Sequence, residues 1–403
     1  MDNMSYISKA EEIMEAFALE TGISETGKAL PVRYLWTDAF AVCNYLGFYR
    51  WWNDKKYLDL ALALVDQVHG ILGRHRGDDQ RTGWISGLDE EEGKLHPTKW
   101  GLRIGKEMNE RGPEDPLDER LEWDRDGQYY HYLTKWMHAL NCLGRVTGDF
   151  VYNRWAVELA KTAHAGFVYR ALSGATTRMY WKMSIDLSYP LVKSMGHHDP
   201  LDGFITYKQL EETLSRDPQK QEQPDLFSEI ADLAQICKGK SWATDDPLGI
   251  GGLLSDAFRV AQLIVYGGTE KTGLLETILK TALGDLRFYG RNHPLNLDPE
   301  YRLAFRELGL SIGLRAVEKL MKLIMRYPEL LGENGRLQGA IDGLMKYVPL
   351  SEVIETFWLD PKNQEAASFK AHRNINMVML ATSLAPDGYL ILEKGDHPEN
   401  IQS

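Results

Sequence analysis

Polar and apolar residues alternate with a helical period through the stretch from Glu122 to Phe167. Leu133, Trp136, Met137, Leu140 and Leu143 follow the i, i+3, i+4, i+7 spacing of one buried helix face. The chain turns at Gly144 and Gly148, then resumes the same spacing with Tyr152, Trp155, Ala156, Leu159, Ala160 and Ala163. This predicts a helical hairpin, and an earlier copy exists. Tyr57, Leu60, Ala61, Leu64, Val65 and Val68 each lie 95 positions before a member of the second face. The turns agree too: Leu46-Gly47 precedes Asp54-x-x-Tyr57, and Leu143-Gly144 precedes Asp149-x-x-Tyr152. A third pair runs over 250–287, with a turn at Gly267-Gly268.

The remaining pattern predicts helices over 4–20, 31–52, 176–195, 205–215, 225–238, 250–266, 272–287, 299–326, 337–347, 350–358 and 368–384. A long polar segment, Arg74 to Gln128, separates the first two hairpin copies, with a short helix expected around Lys99 to Asn109. The least ordered stretch is RDPQKQEQPD, Arg216 to Asp225. Strand alternation is expected only in a short hairpin near Gly388 to Leu392. No linker divides the chain, so a single domain over 1–403 is expected. Open solenoids use short regular repeats. The long, irregular pairs here favour a closed ring with long loops on one face.

Composition narrows the function classes. A net charge of −12 opposes nucleic-acid binding, which needs a basic surface. No apolar run is expected to cross a bilayer, and the N-terminus lacks a basic start followed by an apolar stretch, which predicts a cytoplasmic protein. Cys43, Cys142 and Cys237 are odd in number with no C-x-x-C pair, as for buried thiols in a reducing compartment. Eleven Trp and nineteen Tyr are notable because aromatic surface lines sites for sugars and other flat ligands, although most of these residues are expected in the core.

Several chemical motifs fail on context. GISETGKA, Gly22 to Ala29, has phosphate-loop spacing but follows a helix and lacks Ser or Thr after its Lys. EWDRDG, Glu122 to Gly127, begins like a calcium loop, but Leu133 stands where the bidentate Glu belongs. GIGG, Gly249 to Gly252, follows no strand, and no G-x-S-x-G elbow or HExxH is present. No cofactor and no metal are expected.

Trp36-Thr37-x-x-Phe40, then Gly47, then Asp54-x-x-Tyr57-x-x-x-Ala61, resembles the hairpin pattern of unsaturated glucuronyl hydrolases. The chain as a whole resembles the all-α (α/α)6 toroid of six-hairpin glycosidases and of sugar epimerases built on the same barrel. That resemblance implies a funnel lined by the starts of inner helices. The residues there share a composition: Trp36 with Asp38; Trp123 with Asp124 and Asp126; Trp181 with Asp186; Trp242 with Asp245 and Asp246. Asn292, His293 and Asn296 lead a fifth start, and His372, Arg373 and Asn374 the last. An Asp before a helix is also the usual N-cap, so each acid carries two readings. The loop MGHHDPLDGF supplies His197, His198, Asp199 and Asp202, either as acid–base groups or as a polar surface turn. His131, after Tyr129 and Tyr130, either faces the funnel or packs in the core.

The leading expectation is a glycoside hydrolase acting on a small or oligomeric sugar through paired carboxylates, Asp38 with Asp124 or Asp126, with His197 or His198 able to replace one. Trp36, Trp123, Tyr129 and Trp242 would stack on sugar, and Asp199, Asp202, His131 and His372 would bind it. Arg33 or Arg125 would hold a uronate carboxylate. The alternatives are an epimerase exchanging a proton between two of His131, His197, His198 and His372, and a non-catalytic helical scaffold. Neither nucleic acid nor membrane is expected as a partner, and oligomeric state is left open.

Overall fold

The helix pairs expected from the periodicity are present, in two kinds of partner. The computed structural model describes residues 3–24, 31–170, 177–222, 224–267, 272–291, 294–332 and 335–392. Residues 25–30 of the GISETGKA match, Gly268 of the third turn, and Asn292 and His293 lie outside them. Helix α1 (Asn3–Glu20) opens the chain, and contacts then cluster into two compact units. One comprises 18–49 and 54–240, the other 1–17, 50–53 and 241–403.

In the first unit, α2 (Leu35–Trp52) is followed by α3 (Lys55–Leu72), and α2 is buried on every side from Leu35 to Phe48. By contrast α3 buries one stripe, Tyr57, Ala61, Leu64, Val65, Val68 and Leu72. A helix apolar all round sits inside the protein, while one with a single apolar stripe covers it. The short helices α4 (Glu90–Leu95) and α5 (Glu119–Glu122) and strand β1 (Gln128–Tyr129) lead to the second copy. There α6 (Tyr130–Thr147) is buried almost throughout, and α7 (Val151–Phe167) buries one stripe. The sequence repeat extends to the caps. Asp54 accepts the Lys56 N–H and Asp149 the Val151 N–H, each at 2.9 Å.

After α7 come β2 (Val168–Arg170), β3 (Thr177–Met179), β4 (Lys182–Met183) and β5 (Pro190–Val192), then α8 (Asp199–Leu214) and α9 (Phe227–Cys237). Strands β1, β4 and β5 form an antiparallel sheet in that order, and β2 pairs with β3. The helix expected over 176–195 is therefore replaced by strands. Met179, Trp181, Met183 and Ile185 alternate with a period of two, and Pro190 cannot sit inside a helix. Between Arg216 and Asp225 there is a 3-10 turn, Lys220–Glu222.

The helix expected around Lys99 to Asn109 is likewise absent. Gly101 and Gly105 hold φ of +81° and +92°, outside the helical region. The backbone there runs extended, with Leu35 N–H donating to the Ile104 carbonyl at 3.0 Å and Ile104 N–H to that of Gly127 at 2.8 Å. Buried polar knots fix the long segment. Asp126 accepts Arg103 Nη1 at 2.9 Å, Arg76 Nη1 at 3.2 Å, and the N–H groups of Gly105 and Gly127 at 3.0 Å. Lys182, fully enclosed, donates to Glu122 Oε1 at 2.9 Å and to the carbonyls of Glu122 and Arg125.

The second unit repeats the pairing. Helix α10 (Pro247–Gly267) is buried from Leu253 to Ile264, and α11 (Thr272–Arg291) buries one stripe. Helix α10 also packs on α12 (Ala304–Arg326), another helix buried for most of its length. By length and composition α10 passes as a membrane span, contrary to expectation, but 78% of that stretch is buried inside the protein, as in a core helix. Then follow α13 (Pro328–Leu331), α14 (Gly335–Met345), α15 (Leu350–Leu359), α16 (Pro361–Gln364), α17 (Ala367–Lys370), α18 (Arg373–Leu384) and α19 (Asp387–Leu390). The strand pair expected near Gly388 is instead the helical turn α19, whose backbone closes as Leu390 N–H to the Pro386 carbonyl at 2.9 Å.

Candidate functional site

The starts of α2 and α6 bring a row of aromatic rings together in the first unit. Tyr34 immediately precedes α2 and Tyr132 lies in the first turn of α6, and their hydroxyls are 2.7 Å apart. Tyr132 also packs beside Trp36, Tyr129 and His131, at centroid separations of 6.4, 5.2 and 4.8 Å. Tyr129 continues the row to Trp181 at 5.4 Å, and Trp181 meets Trp123 edge-on at 5.3 Å. The imidazole of His131 stacks on Trp181 with planes 19° apart. Trp123 is 53% exposed, so one end of the row is open. Two ammonium groups face it: Lys106 Nζ and Lys182 Nζ each lie 5.3 Å from a ring centroid, of Tyr34 and Tyr129 respectively.

One titratable pair adjoins these rings. His131 Nδ1 faces Asp199 Oδ1 at 3.7 Å, within ion-pair range but too long for a hydrogen bond. His131 Nδ1 and Asp199 Oδ2 are both buried and make no hydrogen bond. Asp199 begins α8 and is 6% exposed. A β-carbon on Gly196 would come within 2.3 Å of its carboxyl, so glycine leaves the space this carboxylate occupies. The neighbouring acid has a different task. Asp202 accepts Lys135 Nζ at 2.8 Å and the Thr134 hydroxyl, tying α8 to α6.

The other expected residues separate by burial. Asp38 is 1% exposed; its carboxylate accepts the Tyr34 N–H at 2.9 Å and lies 3.5 Å from Arg33 Nη1. Burial pushes its pKa up to about 6, and Arg33 opposes the rise. Arg33 is itself buried, donating to the Thr21 carbonyl at 2.5 Å. Asp126 has no exposed surface, and its carboxylate is paired with the guanidinium groups of Arg103 and Arg76. Asp124 is exposed, His197 exposed and His198 half-buried, the two His rings 4.7 Å apart. Trp36 and Tyr129 are buried within the aromatic row. Asp186 is held by Arg81 at 3.0 Å and by Ser184 and Ser188.

Trp242 and His372 belong to the second unit. Trp242 is buried, and His372 is exposed beside Phe305. Asp246 is a helix cap, accepting the Leu248 N–H at 3.2 Å while pairing with Arg306. Trp181, expected with Asp186 among the funnel residues, joins the row, while Tyr34, Tyr132 and the facing Lys106 were not singled out by the sequence. The signal available for Tyr34 and Tyr132 was their place beside two helix starts.

No protein-family model and no curated protein matches the sequence. Solved structures resemble it throughout its length. A GH76 alpha-mannanase from Bacteroides thetaiotaomicron superposes with a TM-score of 0.51 at 10% identity, covering 96% of each chain. A cellobiose 2-epimerase from Spirochaeta thermophila gives 0.46 at 12% identity, over 94% of this chain and 97% of that one. A sugar epimerase from a ruminal bacterium gives 0.45 at 8% identity, over 85% and 86%. The fold class follows from the mannanase: this chain shares its all-α fold, an (α/α)6 toroid of helical hairpins.

Proposed function

We propose that the chain is a carbohydrate-active enzyme in which His131, positioned by Asp199, moves protons on a sugar held against the Trp123–Trp181–Tyr129 row. The observation that carries this is the 3.7 Å His131–Asp199 pair, unbonded and stacked beneath Trp181. A half-exposed imidazole with a buried carboxylate on one nitrogen keeps its other nitrogen for substrate. Indole and phenol faces suit the C–H faces of sugar rings, and the solved structure sharing the fold is itself an alpha-mannanase. The site residues stay within one domain over 1–403 in this reading.

His131 chemistry favours proton exchange at a sugar carbon, as in epimerisation or isomerisation, with His197 or His198 as the second group. Glycoside hydrolysis is the second reading: the solved alpha-mannanase shares the fold, and burial pushes the Asp38 carboxyl, enclosed beside Arg33, up to about 6, the range of a proton donor. Incubating the protein with reducing mono- and disaccharides in heavy water separates the two. Solvent deuterium at a ring carbon with a new epimer supports exchange; new reducing ends with no carbon-bound deuterium support hydrolysis. His131→Asn should lower kcat about a hundred- to ten-thousand-fold. Asp199→Asn should lower kcat with little change in KM, and Asp199→Glu should restore part of it. No conversion of any sugar tested, or an unchanged kcat in His131→Asn, would overturn the assignment.

A further inference from the structure

Away from the aromatic row, α2 and α6 carry a second grouping that the proposed sugar chemistry does not use. Cys43, His138 and Cys142 are all buried, and their ligand atoms lie within 4.8 Å of one another. His138 and Cys142 are one helical turn apart on α6, with Cys142 Sγ 3.5 Å from His138 Nε2. Cys43 comes from α2, so the grouping has no C-x-x-C spacing.

The surrounding hydrogen bonds fix the imidazole tautomer. Arg145 Nε donates to Asn141 Oδ1 at 2.9 Å, which identifies that atom as the oxygen. Gln209 Nε2 donates to the same oxygen at 2.7 Å, so the Gln209 carbonyl oxygen turns to His138 Nδ1, 3.1 Å away. An amide oxygen only accepts, so Nδ1 carries the proton. The lone pair of His138 therefore sits on Nε2, among the two sulfurs. Metal-binding histidines are oriented in this way by a partner on the far nitrogen.

We propose that Cys43, Cys142 and His138 form a buried site for a thiophilic divalent cation of closed d shell, zinc by chemistry. Sulfur and nitrogen ligands at zinc's usual bond lengths lie roughly 3.6–3.8 Å apart across the ion, close to the 3.5 Å between Cys142 and His138. Two thiolates balance a doubly charged ion, and the neutral imidazole adds no charge, which suits a buried place. Binding releases the two thiol protons to solvent; no electrons move. Three protein ligands leave one position for a water or small anion.

The test is direct on the full chain under reducing conditions. After chelation, cobalt(II) should give thiolate-to-metal charge-transfer absorption at one equivalent, and zinc should abolish it by competition. Cys43→Ser and Cys142→Ser should each remove that absorption while Cys237→Ser leaves it unchanged. Gln209→Leu should weaken zinc binding about 10–100-fold and keep the bands. Circular dichroism checks that each variant is folded, and the wild-type titration decides the question even if a ligand variant is not. Folded wild-type protein that shows no charge-transfer band, or a band that survives both Cys43→Ser and Cys142→Ser, would mean a thiol–imidazole hydrogen bond only.

Discussion

Asp38 shows how a side chain's surroundings change what its position in the sequence suggests. Near the start of a helix beside Trp36 it reads as a site acid, yet it is enclosed with Arg33 and bonded to the Tyr34 N–H. Its folded pKa, about 6, lies above the ordinary value of 3.8. A raised carboxyl pKa favours the folded state most below about pH 4, and that advantage is lost as pH rises through 6. Wild type should therefore lose up to about 3 kcal/mol relative to Asp38→Asn between pH 4 and 7. Urea denaturation of both proteins across that range measures the difference; a gap that does not change with pH would refute the assignment. His131 and Asp199 were both legible as polar residues next to helix starts. Their meeting was not, because 68 positions separate them and only the packing of α8 on α6 joins them.

At the scale of elements, the repeat gives a matched pair of caps. Asp54→Ala and Asp149→Ala each remove one side-chain acceptor at the same place in a hairpin, and each should cost about 0.5–2 kcal/mol. Thermal unfolding of the two variants should give losses of similar size; a large loss in one alone would mean that the repeat does not extend to the caps. Gly105 is a stricter case. Its φ of +92° and a β-carbon 2.2 Å from the Arg33 carbonyl oxygen leave no room for alanine. Gly105→Ala should cost at least about 2 kcal/mol by chemical denaturation. A loss below 1 kcal/mol would show that the segment shifts readily. The helical pairs were readable because a 3.6-residue stripe records burial directly. The Lys99–Asn109 segment was not, because its path is set by distant partners, Gly127, Leu72 and Gln128, that local periodicity does not carry. The strands over 177–192 left a two-residue alternation, but in runs of two or three residues it is too brief to outweigh a helical reading.

On the scale of the molecule, the all-α class was legible because helices buried along most of their length alternate with striped ones three times, at α2–α3, α6–α7 and α10–α11. The same alternation explains why α10 meets the composition of a membrane span while lying in a protein core. The path of the long segment beside the aromatic row depends on buried ion knots, and those are written in residues scattered along it. Lys182 is the clearest example, with its ammonium enclosed by Glu122 and the Arg125 carbonyl and its pKa lowered by burial. An amine-directed reagent can reach it only when the 106–128 segment lifts away. Pulse labelling followed by mass spectrometry should find Lys182 far slower to react than exposed Lys55 or Lys94; equal rates would show that the enclosure is not kept in solution. That lysine can then serve as a clock, timing how often the wall beside Tyr129 comes loose and whether adding the sugar proposed as substrate makes it tick more slowly.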